Sequence, residues 1–336
     1  MVRARKFVLI KIFCGMPKRD DYEIVEFDLP PLKDKEILVK AEWLSVDPYL
    51  RNEFVPSVPC DQVGVQIGIV QQTRNPKYPI GTRIVSHMGW CDYAILHEPK
   101  NELQDLMYEL PDLAGLPTEL GLGAVGIPGL TAYYGFLEIC KPKPGEIVVV
   151  TGAAGAVGSI VGQIAKIKGC KVIGFAGSDD KVLWLEKELG FDKAFNYKSA
   201  DISAALKQAA PNGVDCYFDN VGGEISSIIM GQMNVFGRVS VCGSISVYNC
   251  LPSDYPVATT IQPNIISKQL RVEGFRVNRW LETKELVIEA FNNLIKWIKD
   301  GKIKCRTHIT EGFDNAVNAF VGMLSGENFG KAVVKV

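Results

Sequence analysis

Two rhythms of apolar and polar positions divide this chain. Up to about residue 125, apolar residues alternate with polar ones in short runs at 6–11, 22–27, 36–41, 64–70, 81–85 and 90–96, separated by Pro30-Pro31, by the turn 75–79 and by charged residues. A period of two is that of a strand with one buried face, so this part is predicted to form a small antiparallel β-barrel. From about Gly126 the texture changes. A helix opened by Pro128 is expected over 128–137, with strands over 147–151, 171–175, 193–196, 214–219, 237–242 and 270–275. Helices are expected over 202–209, 224–233 and 281–300, besides one after residue 158 in which Ile160, Ile164 and Ile167 recur at helical spacing. Continuous apolar strands alternating with amphipathic helices make an α/β doubly wound parallel sheet. The last residues read as strand 303–309, helix 313–324 and strand 331–336, returning to the first domain. The predicted domains are 1–125 with 303–336, and 126–302.

At the centre of the second domain, Ile147-Val148-Val149-Val150-Thr151 runs into Gly152-Ala153-Ala154-Gly155-Ala156-Val157-Gly158. Strand, glycine turn, helix and second strand within one unit is the context in which a Rossmann glycine fingerprint binds a dinucleotide. Gly155 would let a pyrophosphate come up to the backbone, and Gly158 would let the helix pack on its own strand. Ala156 and Val157 lie between them at a helix N-terminus, whose free N–H groups favour an anion. Ala153 stands where the fingerprint has its first glycine, with Gly152 one place earlier, so a glycine-rich packing turn is the competing reading.

The end of the second strand separates the two nicotinamide dinucleotides. An NAD site usually puts an acidic residue there for the ribose hydroxyls. Here Ala176-Gly177-Ser178 leaves room for a 2′-phosphate, and Lys181, one turn further on, is placed to pair with it. The expected cofactor is NADPH. Asp179 and Asp180, behind a Ser178 N-cap, read as first-turn carboxylates favoured by the helix dipole, and the bland reading of Lys181 is a solvated helix residue.

The other strand ends carry Asn196-Tyr197-Lys198, Asp219-Asn220-Val221-Gly222-Gly223 and Cys242-Gly243-Ser244-Ile245-Ser246-Val247-Tyr248-Asn249. Three such turns beside a glycine fingerprint point to a ligand crevice. Residues 249–264, with Pro252, Pro256 and Pro263, suit either a lid or a solvated loop. In the first domain, Ser45-Val46-Asp47-Pro48-Tyr49-Leu50-Arg51 puts a polar, aromatic cluster at a strand end. Tyr49 suits a substrate or cofactor contact, and equally a loop anchored by its tyrosine and arginine.

Composition narrows the class. A net charge of −1 over 336 residues gives no electrostatic case for nucleic acid or an anionic membrane as a partner. The apolar stretches are too short to span a bilayer, and the one after Arg5-Lys6 is too short for a secretory signal, so a cytoplasmic protein is expected. Nine cysteines without a C-x-x-C pair read as reduced, mostly buried thiols. His87, His97 and His308 show no metal-ligand spacing, and no metal site is expected.

The glycine segment, Gly177-Ser178-Asp179-Asp180-Lys181, Phe195-Asn196-Tyr197-Lys198, Asp215 to Gly223, Cys242 to Asn249, Asn328-Phe329-Gly330-Lys331 and Ser45 to Arg51 together resemble the zinc-independent medium-chain reductases. Within them the chain is most similar to the prostaglandin reductase, or leukotriene 12-hydroxydehydrogenase and alkenal/one oxidoreductase, group. The resemblance implies an N-terminal GroES-like barrel, a Rossmann domain, NADPH as cofactor and a homodimer. It implies that Gly155, Ala156, Val157 and Gly158 bind the pyrophosphate, and that Lys181 and Tyr197 hold the 2′-phosphate end. Asn220, Cys242, Gly243, Ser244, Ile245, Ser246, Val247, Tyr248, Phe275, Arg276, Val277 and Asn328 would line the rest of the cofactor. Arg276 departs from the apolar residue expected there; a backbone contact tolerates the change and a side-chain contact does not. The implied activity is reduction of the carbon–carbon double bond of enones and enals, including 15-oxo-prostaglandins and 2-alkenals, with leukotriene 12-hydroxyl oxidation a further implied reaction. Such a reduction needs a hydride donor against the β-carbon and a hydrogen-bond donor where the carbonyl oxygen gains charge. Tyr248 is the expected catalytic residue, acting through the nicotinamide ribose hydroxyl. Quinone reduction and non-catalytic NADPH binding are the competing functions.

Overall fold

The computed structural model describes residues 2–51 and 57–336, Pro252 by its backbone alone; Met1 lies outside the described residues. The chain folds as two compact units, Met1–Gly123 with Thr307–Val336, and Ala124–Arg306.

In the first unit the alternating segments form strands shared between two sheets. Val2–Leu9 lies between Tyr22–Leu29 and Cys60–Asp61 in a three-stranded sheet. The other sheet has seven strands, in the order Thr307–Glu311, Lys331–Lys335, Glu36–Val46, Gln66–Thr73, Arg83–Ser86, Met107–Glu109, with Tyr93–His97 also paired to Glu36–Val46. Cys60–Asp61 and Met107–Glu109 were not expected, because two or three residues carry no readable period. The tail supplies the parallel pair Thr307–Glu311 and Lys331–Lys335, joined through the helix Ala316–Leu324. Phe7, Trp90, Phe313 and Phe320 meet at the core of this unit, with ring centroids 5.0–5.8 Å apart along the chain of contacts.

The second unit holds a six-stranded, wholly parallel sheet in the order Lys193–Asn196, Lys171–Ala176, Ile147–Thr151, Val214–Asp219, Met233–Val241, Arg271–Gly274. Numbered within this sheet, that order is 3-2-1-4-5-6, the Rossmann order. The chain reverses its direction of growth between Ile147–Thr151 and Val214–Asp219, and ligands of such sheets bind beyond the carboxyl ends of the strands at that point.

Two expectations need correction. The helix expected over 281–300 spans Lys284–Lys299, and a separate short helix, Asn278–Leu281, that was not expected precedes it, with an extended Thr283 between them. Trp280 stacks on Tyr134 at 5.4 Å and meets Phe275 edge-on at 5.5 Å, so the short helix is drawn into the core before the long one starts. The fifth strand begins at Met233 rather than 237, consuming the end of the expected helix, which spans Gly223–Gly231. An irregularity in its pairing and a left-handed Phe236 turn Val235 and Phe236 outward, which masked the strand in the apolar pattern.

Candidate cofactor and active site

The glycine turn occupies the switch point. Gly152 takes a left-handed φ of +58° directly after Thr151, the Ala153 N–H donates to Phe175 O at 3.0 Å, and the Gly155 N–H donates to Gly152 O at 3.0 Å. The helix Gly158–Ile167 then starts without a side-chain cap; the Ser159 N–H donates to Gly155 O at 3.1 Å, and the Ile160 and Val161 N–H groups donate to Val157 O at 3.1 and 3.0 Å. A Cβ on Gly158 would lie 2.4 Å from Gly152 O, which is the close helix-on-strand packing expected of this glycine. Gly155, Ala156 and Val157 are partly open. A helix start without a side-chain cap and a turn of glycine, alanine and valine, at a switch point, fit the pyrophosphate of a dinucleotide.

Beside it, Ser178 caps the helix Asp179–Lys187, its Oγ accepting from the Lys181 N–H at 3.4 Å. Asp179 accepts from Asn196 Nδ2 at 2.8 Å. Lys181 is only 8 % exposed, unlike a solvated helix residue, and burial, followed by the charge of Lys198, lowers its pKa. Tyr197 donates its N–H to Ala176 O at 3.0 Å and lays its ring against Gly177, where a Cβ would come 3.1 Å from the hydroxyl. Two lysines and a tyrosine thus meet at the carboxyl ends of neighbouring strands, an arrangement suited to a phosphate. The sequence pattern does not mark Lys198 as a site residue; its signal is a second lysine two residues after Asn196, at the end of the neighbouring strand.

The fourth and fifth strand ends are tied to the glycine turn. Asn220 donates its side-chain amide to Thr151 O at 2.7 Å and its backbone N–H to Thr151 Oγ1 at 3.2 Å. The N–H groups of Cys242 and Gly243 donate to Asp219 O at 2.8 and 3.1 Å, Ile245 N–H to Asn220 O at 3.3 Å, and Ser246 N–H and Oγ to Val221 O at 3.2 and 2.6 Å. The loop ends in a 3₁₀ turn, Ile245–Val247, that brings the Tyr248 hydroxyl back over Gly243, where it accepts from the Ser244 N–H at 3.4 Å. Burial raises the Tyr248 pKa, so its hydroxyl keeps its proton at neutral pH and has it free to donate. Burial also pushes the Cys242 thiol up to about 12, which removes it as a nucleophile.

Phe275, Arg276 and Val277 follow the sixth strand. Phe275 points inward against Phe218 and Trp280, in space that Gly135 leaves by lacking a side chain. Arg276 is exposed, and its carbonyl accepts from the Arg279 N–H at 3.3 Å.

Tyr49 and Asn328 belong to the first unit. Tyr49 is 38 % exposed on the 3₁₀ turn Pro48–Arg51, whose Leu50 is buried. Arg51 is the anchor of that loop: its Nη2 donates to Gly15 O at 2.9 Å and its guanidinium lies 5.0 Å from the centre of the Phe13 ring. Buried Lys331 donates to Val46 O at 2.6 Å and to Asp47 Oδ1 at 2.9 Å, while Ser45 Oγ donates to Asp47 Oδ2. Asn328 donates to Gly330 O at 2.8 Å.

Known proteins match this chain from end to end. It is 49 % identical to prostaglandin reductase 1 of Bos taurus, covering all of both chains. The chain belongs to the prostaglandin reductase family. That family lies within the zinc-independent medium-chain dehydrogenases and reductases. Residues 5–104 match the family described as the N-terminal domain of oxidoreductase, and residues 156–298 the one described as zinc-binding dehydrogenase. Among the described residues, no group of three or more His, Cys, Asp or Glu is placed to hold a metal ion. The chain is 37 % identical to the NADP(+)-dependent 2-alkenal reductase of Nicotiana tabacum, over 100 % of this chain and 98 % of that one. It is similar in structure to CurA of Vibrio vulnificus in complex with NADPH, with a TM-score of 0.89, 33 % identity and 99 % of each chain covered. Among the described residues no helix is long and apolar enough to cross a membrane.

Proposed function

We propose that this chain is an NADPH-dependent reductase of the carbon–carbon double bond of α,β-unsaturated ketones and aldehydes, with 15-oxo-prostaglandins and 2-alkenals among its substrates. The observation that carries the reading is the joining of the glycine turn, Asn220 and the Cys242 to Tyr248 loop at the switch point of the sheet, beside the buried Lys181.

Gly155, Ala156, Val157 and Gly158 receive the pyrophosphate, and Lys181 and Tyr197, joined by Lys198, receive the 2′-phosphate. Asn220, Cys242 to Tyr248, Phe275 to Val277 and Asn328 hold the remainder of the cofactor. NADPH, when bound, supplies the hydride for the β-carbon. Tyr248 keeps a protonated hydroxyl whose proton is not used by its Ser244 contact, and it acts as the donor that, through the ribose hydroxyl, strengthens the hydrogen bond to the substrate carbonyl as that oxygen gains charge. Water or a neighbouring hydroxyl donates the proton that the α-carbon gains as the enolate collapses to the saturated carbonyl. Tyr49 contacts the substrate. The protein works as a homodimer in the cytoplasm, and leukotriene 12-hydroxyl oxidation is a further reaction of the same site.

The test follows NADPH absorbance with a long-chain 3-alken-2-one, a 2-alkenal, a 15-oxo-prostaglandin and a quinone, each repeated with NADH. Rapid NADPH loss with a saturated ketone as product, and little with NADH, is the expected result. Turnover of the quinone alone, or NADPH binding with no turnover, would overturn it. Size-exclusion chromatography with light scattering tests the dimer.

A further inference from the structure

The glycine turn and the Asn220 turn meet at one buried carboxylate that no step of the proposed reaction uses, and the Tyr248 loop is held by the main chain beside it. Asp219, 2 % exposed at the end of the fourth strand, accepts at Oδ1 from Thr151 Oγ1 at 3.2 Å, from the Val221 N–H at 2.9 Å and from the Gly222 N–H at 2.9 Å. Its Oδ2 accepts from Ser226 Oγ at 2.7 Å. Among the described residues no cation pairs with it, so hydrogen bonds alone compensate its charge. A surface turn does not require a buried charge with four donors.

Three of the four donors belong to parts that the cofactor reading needs, and the fourth, Ser226, lies in the helix Gly223–Gly231 that follows. Thr151 precedes the glycine turn and also holds Asn220 by two bonds. Val221 and Gly222 form the turn after the fourth strand, where Gly222 and Gly223 take left-handed φ values of +69° and +67°. The carbonyls of Asn220 and Val221 then hold Ile245 and Ser246, and the Asp219 carbonyl holds Cys242 and Gly243, so the loop ending at Tyr248 is fixed by the same segment. We infer that Asp219 is a positioning residue: its carboxylate clamps the glycine turn, the Asn220 turn and, through them, the Tyr248 loop in one NADPH-binding arrangement. This inference rests on the NADPH reading above.

The direct test measures NADPH dissociation constants by fluorescence, and the rise in melting temperature that saturating NADPH produces, for the full chain and four variants. Asp219→Ala removes all four acceptor bonds and is expected to weaken NADPH binding by about tenfold or more, the size of losing hydrogen bonds to a charged group. Asp219→Asn keeps an oxygen for Thr151, Val221 and Gly222, and the Ser226 hydroxyl can rotate to accept from the new amide. It should bind within about threefold of the original chain on that account. Ile229→Ala is the control for destabilisation alone: Ile229 is buried in the last turn of the helix Gly223–Gly231, toward the opposite end of the sheet, and its loss should lower the melting temperature of the free protein without moving NADPH affinity. Thr151→Val keeps the branched shape and removes the Oγ1 that joins Asp219, the Asn220 N–H and the Tyr217 hydroxyl, so it tests the link between the glycine turn and the turn after the fourth strand even where Asp219→Ala fails to fold, and a severalfold loss of affinity is expected.

Unchanged affinity in Thr151→Val together with unchanged affinity in a folded Asp219→Ala would overturn the clamp and leave Asp219 a structural residue like Ile229. Asp219→Asn binding as poorly as Asp219→Ala would overturn the geometric account. If the original chain itself fails to bind NADPH, it is the proposed function that falls.

Discussion

Gly155 and Gly158 should fail in opposite ways when each is replaced by alanine. A methyl on Gly158 would stand 2.4 Å from Gly152 O, 2.9 Å from Ala153 Cα and 3.0 Å from Gly152 C, all backbone atoms. Ordinary contact lies near ~3.5 Å, so the helix and the turn must part by about 1 Å. The turn cannot easily yield, because Ala153 and Gly155 pin it by hydrogen bonds to Phe175 O and Gly152 O. Overpacking of this kind costs about 1–3 kcal/mol, and the helix propensity of alanine returns at most about 1 kcal/mol. Gly158→Ala should therefore be less stable by about 1–2 kcal/mol. A methyl on Gly155 meets one atom, Gly152 O at 3.2 Å, which a shift of a few tenths of an ångström relieves. Its stability should stay within about 0.5 kcal/mol of the original, since alanine also lowers the entropy of the unfolded chain. The methyl would instead stand on the partly open face of the turn, and NADPH affinity should fall by about tenfold, or about 1.4 kcal/mol. Urea unfolding and NADPH titration by fluorescence quenching measure both quantities. Gly158→Ala as stable as the original chain, or Gly155→Ala binding NADPH undiminished, would refute the assignment of close packing to one glycine and phosphate approach to the other.

Lys181 has its pKa lowered by burial and by Lys198. The charged form binds the 2′-phosphate, so NADPH affinity should hold below the lowered pKa and decline as pH rises through it, at a pH below the ordinary lysine value of 10.5; titration across pH 7–10 should show that decline in the original chain and a flat, weak profile in Lys181→Met. A lowered pKa also means that the folded state disfavours the ammonium, so Lys181→Met should melt higher than the original chain in the absence of NADPH at pH 7. Tyr248→Phe should lower kcat for enone reduction by about a hundredfold with a smaller change in NADPH affinity, and wild-type turnover in steady-state assays would dismiss the tyrosine. Lys331→Met leaves the partly buried Asp47 with Ser45 as a side-chain donor, which should cost about 1–3 kcal/mol in urea unfolding; the double variant Lys331→Met, Asp47→Leu should recover much of it, because no unpaired charge remains.

What the sequence by itself determined was local. The strand–turn–helix over 147–167, the Ser178 cap with its first-turn aspartates and the alternation of parallel strands with helices all follow from periods, caps and glycines read within a few residues of one another. The choice of NADPH was legible for the same reason, since Ala176-Gly177-Ser178 and Lys181 lie in one short segment. Tertiary structure decided what depends on residues far apart in the chain. It set Lys198 beside Lys181 from the neighbouring strand, stacked Trp280 on Tyr134 within a separate short helix ahead of Thr283, and brought Lys331 under Asp47 across 284 residues. It also gave Asp219 its partners: Thr151 reaches the carboxylate because the first and fourth strands are neighbours, and the order of strands in a sheet is fixed by crossover packing, which leaves no mark in the pattern of any one segment.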